Sequence, residues 1–267
     1  METQPQPWAL ILGASSGFGE ATGIELARAG MNIFGVHFDR RATLPHVEEV
    51  MARIRALGRE PVFFNANAVD EEKRKEILAA MQERCNDPAR PGTVRVVLHS
   101  IAFGALVPYV SKNQDKTATK AQLEMTSDTM AHSLVYWVQD LVQSGLMKSG
   151  GRVYAMTSAG GARAIPQYGP VSGAKALLEA HIRQLALELA PFGITANAIR
   201  AGVTDTPSSR KIPGSDKLFE FAAMRNPYGR LTTPEDVARC IAVLSSENTY
   251  WMTGNTIGVD GGEDIVA

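Results

Sequence analysis

Three groups of residues in this chain could do chemistry by their type and spacing. The first is Gly13-Ala14-Ser15-Ser16-Gly17-Phe18-Gly19, directly after the apolar run Trp8 to Leu12. Glycines spaced this way let the backbone turn tightly and approach an anion, and a helix starting there offers free amides to a pyrophosphate. The second stands eighteen residues after Gly19, where an acid would bond the adenine ribose of a dinucleotide and repel a 2′-phosphate. This chain has His37 there, then Arg40 and Arg41, which favours NADPH; Asp39 between them keeps NADH open. The third is Ser158, Tyr168 and Lys175. A tyrosine, with a reference pKa of about 10, is a neutral proton donor suited to a developing oxyanion. A lysine nearby can hold a nicotinamide ribose and ease charge on the phenol.

Each group has a competing reading. A glycine-rich turn need not hold a ligand. Gly13-x-Ser15-x-Gly17 also matches the nucleophile elbow of a hydrolase, which needs an acid and then a histidine downstream. The last histidine is His181, inside a helical stretch rather than on a loop after a late strand. Tyrosines often pack against helices, and lysines usually point into water.

These residues need elements to hold them. Short continuous apolar runs predict strands buried on both faces over 8–12, 31–36, 61–64, 94–98, 152–156, 194–199 and 256–259. Helical spacing and terminators predict helices over 19–29, 47–57, 71–84, 127–147, 170–189 and 234–244, the fourth closed by the Ser149-Gly150-Gly151 break. The alternation implies right-handed crossovers and an α/β fold, a Rossmann-like doubly wound parallel sheet of about seven strands with helices on both faces. A single domain over 1–267 is expected, with a small substrate-loop region at about 203–228. Gly169 as cap and Pro170 at the first helical position leave Tyr168 just outside its helix and Lys175 in the second turn. The stretches 111–120 and 207–214 are expected to be mobile loops at the carboxyl ends of strands, where ligands bind in such sheets.

Composition narrows the class. Lys and Arg number 27 against 28 Asp and Glu, so the charge footprint of a nucleic-acid or anionic-membrane binder is missing. The two cysteines, Cys85 and Cys240, cannot build a disulfide framework or a four-ligand zinc site, and they read as core thiols in a reducing compartment. No other spacing suggests a metal, and His132 and His181 read as helix-surface or core residues. No apolar run reaches the roughly 20 residues of a membrane helix, and Met1 to Pro7 lacks the features of a signal peptide. The expectation is a cytoplasmic enzyme.

Taken together, the motifs resemble the short-chain dehydrogenase/reductases over 8–262. In the common branch of that family the tyrosine stands four residues before the lysine, a place held here by Val171. Tyrosine seven before lysine instead resembles the divergent bacterial enoyl-acyl-carrier-protein reductases. His99-Ser100-Ile101-Ala102-Phe103, Met130-Ala131-His132-Ser133, Ala164-Ile165-Pro166-Gln167-Tyr168 and Asn197 to Gly202 are similar to segments of that branch. Ser158 and the glycine loop follow the ordinary ketoreductases, a mixture similar to a smaller NADPH-using type of enoyl reductase.

The resemblance implies Tyr168, Lys175 and Ser158 as catalytic residues, with Ser158 either bonding the substrate carbonyl or only serving the strand end. It implies cofactor contacts at Gly13, Ser15, Ser16, Phe18, Gly19, His37, Arg40, Arg41, Asn67, Ala68, Ser100, Ile101, Ala102, Lys175, Gly202, Val203 and Thr204. The implied substrate is a 2-enoyl thioester of fatty acid synthesis, carried on acyl carrier protein or coenzyme A. Met156, Phe103 and 207–228 are expected to line the acyl channel, and a homotetramer is implied. Reduction of a 3-oxoacyl or other carbonyl substrate is the alternative. A dinucleotide-binding sensor without turnover is a third reading, against which Tyr168 and Lys175 argue.

Overall fold

A computed structural model of the chain describes residues 5–113 and 116–266. The parts of the 1–7 and 111–120 readings that fall on 1–4 and 114–115 lie outside the described residues. The opening unit is β1 (Gln6–Leu12), α1 (Gly17–Arg28) and β2 (Asn32–His37). It continues through α2 (Leu44–Ala56), β3 (Pro61–Asn65), α3 (Glu71–Cys85) and β4 (Gly92–His99). The second half holds α4 (Lys120–Ser127), α5 (Ser133–Gln143), β5 (Met147–Ser158), α6 (Gly169–Leu189) and β6 (Thr195–Ala201). It ends with α7 (Ser215–Arg225), α8 (Pro234–Leu244) and β7 (Thr256–Val259).

All seven strands pair in parallel in the order β3-β2-β1-β4-β5-β6-β7. The order reverses between β1 and β4, which opens a crevice beyond their carboxyl ends. Alternate residues of β1 feed opposite faces of the sheet. Trp8, Leu10 and Leu12 join a core with Met81 of α3, Trp137 and Leu141 of α5, and Leu178 and Ile182 of α6. Ala9 and Ile11 join a core on the other face with Ile24 of α1, Ile54 of α2 and Ile241 of α8. Burial on both faces is why these strands read as unbroken apolar runs rather than alternating ones.

The structure corrects three expectations. The helix predicted over 127–147 starts earlier, at Lys120, and is interrupted by a π-helical turn over Asp128–His132. Thr119 starts it through a capping box, its hydroxyl taking the Gln122 amide at 3.2 Å while Gln122 Oε1 takes the Thr119 amide at 3.0 Å. The helix also ends sooner, because Val94 N–H draws the Leu146 carbonyl into the sheet at 2.9 Å and Met147 becomes a strand residue. Ser149-Gly150-Gly151 is therefore a bend within β5, held by a bond from Gly150 N–H to the Gly193 carbonyl at 2.8 Å.

The second correction is α7, which the pattern does not reveal because Ala222 is its one buried residue, leaving no apolar stripe to read. The third concerns 207–214, which is stitched rather than loose. The Ser209 hydroxyl donates to the Thr204 carbonyl at 2.7 Å and accepts the Thr206 amide at 2.8 Å. Among the described residues, no helix is long and apolar enough to cross a membrane.

Candidate active site

The glycine loop forms the floor of the crevice. Gly13 and Ala14 amides bond the Val36 carbonyl at the end of β2, and the Ser100 amide bonds the Leu12 carbonyl, so three strand ends are tied together. A Cβ on Gly13 would drive into the Ser100 carbonyl, and one on Gly19 into the Gly13 carbonyl. Gly13 also has φ +90°, which L side chains disfavour. Ser16 occupies the N-cap of α1 in extended conformation and makes no side-chain cap, so the amides of the first turn are left for another acceptor. Phe18 packs partly into the core against α1's face of the sheet, so its side chain is structural there. A steric cradle at a helix start with uncapped amides fits the pyrophosphate of a dinucleotide.

Around the end of β2, His37 is buried, and its Nδ1 lies 3.0 Å from Asp39 Oδ2. Burial works to raise the Asp39 carboxyl, but hydrogen bonds from Ser15, Thr43 and His37 outweigh it and hold the group below its usual range. Arg40 and Arg41 are exposed and hold no ion pair with another described residue. Asp39 is thus occupied while two cations stay available. The same geometry argues against the hydrolase reading, because the His37 Nδ1 bond goes to Asp39 and no hydrogen bond joins His37 to Ser15 among the described residues.

Further along the crevice, the other expected contacts differ in what they leave open. Asn67 is exposed, while Ala68 is buried with its carbonyl taken by Trp137 Nε1 at 2.9 Å. Ile101 packs partly against the core, and Ala102 and Phe103 are exposed at the end of β4. Beyond β6, the Gly202 amide bonds the Val259 carbonyl at 3.2 Å and Thr204 Oγ1 bonds the Gly202 carbonyl at 3.0 Å. The Val203 amide is already held by Glu263 Oε2 at 2.9 Å.

Ser158 ends β5, and Tyr168 caps α6 in non-helical conformation, with Gly169 and not Pro170 as the first helical residue. This shifts the expected cap by one residue. The Tyr168 carbonyl accepts the Ser172 amide at 2.7 Å, so the backbone there has already begun the helix. Gln167 just before it has φ +61°, the one positive φ outside glycine among the described residues. That strained turn aims the phenol back at β5, where Tyr168 Oη lies 3.5 Å from Ser158 Oγ. Burial raises the phenol's pKa and the Ser158 hydroxyl offsets only part of that, so the group stays protonated at neutral pH.

Lys175 is buried, and its Nζ donates to the Met156 carbonyl at 2.7 Å. Burial pulls its pKa down to about 8, against which the Glu179 charge one helical turn on pulls upward. The structure does not pair the ammonium with the phenol. Met156, expected in the acyl channel, is buried in the core instead, because its inward register on β5 leaves only its carbonyl at the site. Val171 is buried with Met130 and Ala174, and Leu106 and Tyr168 pack on that cluster.

Several polar groups around the site escaped the sequence reading as functional. Thr157 Oγ1 donates to Glu179 Oε1 at 2.7 Å, and the i, i+4 spacing from Lys175 is the signal that could have flagged Glu179. His99 is fully buried beside Lys175, and burial, then the lysine charge, push its pKa down to about 3. Its Nε2 meets Ser133 Oγ at 2.8 Å, and that hydroxyl donates to the Thr129 carbonyl, so Nε2 carries the proton. His132 and His181 pair with each other at 3.1 Å across the π-helical turn and α6. Ile182 and Leu189 are core residues. No metal-binding cluster of three or more His, Cys, Asp or Glu occurs among the described residues.

Comparison with known proteins agrees with this geometry. A family described as enoyl-(acyl carrier protein) reductase matches residues 13–263. The chain is 28% identical to the 1-cyclohexenylcarbonyl-CoA reductase of Streptomyces collinus, over 97% of this chain and 87% of the relative. It is 26% identical to a 3-oxoacyl-(acyl-carrier-protein) reductase of Pseudomonas aeruginosa, over 95% of this chain and 96% of the relative. In fold it matches the crystal structure of the NADH-type enoyl-(acyl-carrier-protein) reductase of Aquifex aeolicus, with TM-score 0.82, 24% identity, and 98% and 97% of the two chains covered. With the cradle, the 3-2-1-4-5-6-7 sheet and this match over nearly its whole length, the chain belongs to the enoyl-(acyl carrier protein) reductase family of the short-chain dehydrogenase/reductases and is an NAD(P)-dependent oxidoreductase.

Proposed function

We propose that the protein reduces the carbon–carbon double bond of a 2-enoyl thioester, using NADPH. The observation that carries this reading is Val171, the donor position of ordinary ketoreductases, closed into an apolar cluster on which Tyr168 packs, so that the phenol seven residues before Lys175 is the donor. When bound, the reduced dinucleotide supplies hydride to the β-carbon of the double bond. Charge then gathers on the thioester oxygen, three bonds from the carbon attacked, and a proton taken from water at the α-carbon completes the reduction. Tyr168 meets that oxygen with a preorganised O–H donor, and its raised pKa keeps the proton on the phenol for this purpose. Ser158 supplies a second hydroxyl to the same oxygen.

Lys175 holds the nicotinamide ribose through an ammonium already fixed by the Met156 carbonyl. Arg40 and Arg41 take the 2′-phosphate, since Asp39 is turned toward Ser15, Thr43 and His37. Exposed Phe103, Phe221 and Tyr228 supply apolar surface at the mouth for the acyl chain, carried on acyl carrier protein or coenzyme A. A homotetramer is part of the proposal, supported by exposed Val243, Tyr250 and Trp251 beside the terminal strand β7.

Carbonyl reduction is the second reading, favoured by the serine–tyrosine pair itself, which would hold a ketone oxygen equally well. Following NADPH and NADH oxidation with crotonyl and acetoacetyl thioesters separates the two. Turnover of the crotonyl substrate with NADPH is expected; turnover of the acetoacetyl substrate alone would overturn the enoyl assignment.

A further inference from the structure

The last described turn, after β7, reaches three walls of the site. After β7, Asp260 accepts the Gly262 and Asp264 amides at 2.9 and 3.2 Å, which rolls the chain into a short 3₁₀ turn over Glu263–Ile265. That turn buries Glu263 to 4% exposure against the loop after β6. Glu263 Oε2 takes the Val203 amide at 2.9 Å, and Oε1 faces Arg225 Nη2, at the end of α7, at 3.4 Å. A Cβ on Gly202 would collide with the Thr232 hydroxyl and come within 2.9 Å of the same carboxylate, so both side chains pack closely on this loop. The next residue after α7, Asn226, donates to the Asp260 carbonyl at 2.9 Å. On the other side, Arg163, from the loop between Ser158 and Tyr168, donates to the Asp264 carbonyl at 2.7 Å. Arg200 of β6 pairs with Asp264 Oδ2 at 3.0 Å.

A carboxylate buried this deeply is a poor stabiliser, because well-packed apolar residues serve a core at least as well. Its two oxygens serve two different elements, the loop after β6 and the last turn of α7. We infer that Glu263 is a positioning residue, which sets the Val203 amide and α7 in register and so fixes the acyl entrance between them. The inference rests on the proposed function only for the identity of the substrate.

The test uses the full chain with Glu263→Ala, Glu263→Gln, Arg225→Met and the double variant Glu263→Gln/Arg225→Met. Two readouts are taken, the KM and kcat for crotonyl thioester with NADPH, and amide hydrogen exchange across 203–225 in the free protein. Glu263→Ala is expected to raise KM at least about tenfold with kcat changed less than about threefold, as loss of a charged hydrogen bond at a binding wall should. Exchange at Val203 and in α7 should quicken by a similar factor, less in Glu263→Gln, which keeps an acceptor for the amide. The effects of Glu263→Gln and Arg225→Met should be non-additive. Unchanged KM and exchange in Glu263→Ala, or strict additivity of the pair, would overturn the inference. Should Glu263→Ala not fold, the Glu263→Gln and Arg225→Met cycle decides alone. Absence of crotonyl turnover in the unsubstituted protein would refute the substrate reading, while the exchange data would still decide the role of Glu263.

Discussion

The two sides of the crevice are held by different means. On the β1–β2 side, the walls are backbone against backbone, with glycines at 13 and 19 where any side chain would strike a carbonyl. On the β5–β7 side, the walls are joined by side chains far apart in sequence. Glu263 holds Val203, Arg163 holds the Asp264 carbonyl, and Thr157 holds Glu179. The first side is rigid by sterics and fits the pyrophosphate of a dinucleotide. The second is set by individual polar bonds, and its shape can therefore change by single substitutions.

The largest effect should come from breaking the steric side. Gly19→Val should abolish dinucleotide binding, at least about a thousandfold by calorimetry, since the new side chain must displace the Gly13 carbonyl. On the other side, Tyr168→Phe should lower kcat by about a hundredfold with little change in KM, as expected for a donor that acts chiefly in the transition state. A loss of less than about threefold would remove the phenol from the mechanism.

The pH dependence of Lys175 comes next. Its pKa of about 8 in the fold lies below the ordinary 10.5, so the ammonium that holds the ribose is lost as pH rises through 8. Activity at pH 9 should be about tenfold below its plateau. Stability moves the other way. Between about 8 and 10.5 the unfolded chain binds the extra proton, so Lys175 makes the fold more stable as pH rises, a slope that Lys175→Met should abolish in denaturant titrations. The smallest effect is expected from Arg40→Ala with Arg41→Ala, which should weaken NADPH about tenfold and NADH hardly at all. Equal losses for both cofactors would show that the arginines do not read the 2′-phosphate.

Much of the fold was legible because burial on both faces leaves a simple trace. β2 and β6, buried along almost their whole length, fall within two residues of where the apolar pattern puts them, over Asn32–His37 and Thr195–Ala201. Where the pattern misled, a nonlocal bond was in charge. The Val94 amide draws Leu146 out of the preceding helix, and α7 has too little buried surface to show a stripe. The glycine loop and the spacing of Tyr168 and Lys175 were visible for the same reason in reverse, since glycine positions and helical turns are local properties. Helical spacing puts Glu179 one turn beyond Lys175, but nothing in the sequence gives it Thr157 as a partner or places Met156 in the core.

The sequence by itself determined the strand–helix alternation, the glycine positions at 13, 17 and 19 and the residue types at 158, 168 and 175, because each is read from residue type and spacing along the chain. Only the tertiary structure decided that Lys175 answers to the Met156 carbonyl rather than to the phenol, that Asp39 is spoken for by Ser15 and His37, and that Glu263 holds Val203. Those pairings join residues up to 60 positions apart, and a hydrogen bond across such a distance has no signature in the order of residues until the sheet brings its ends together.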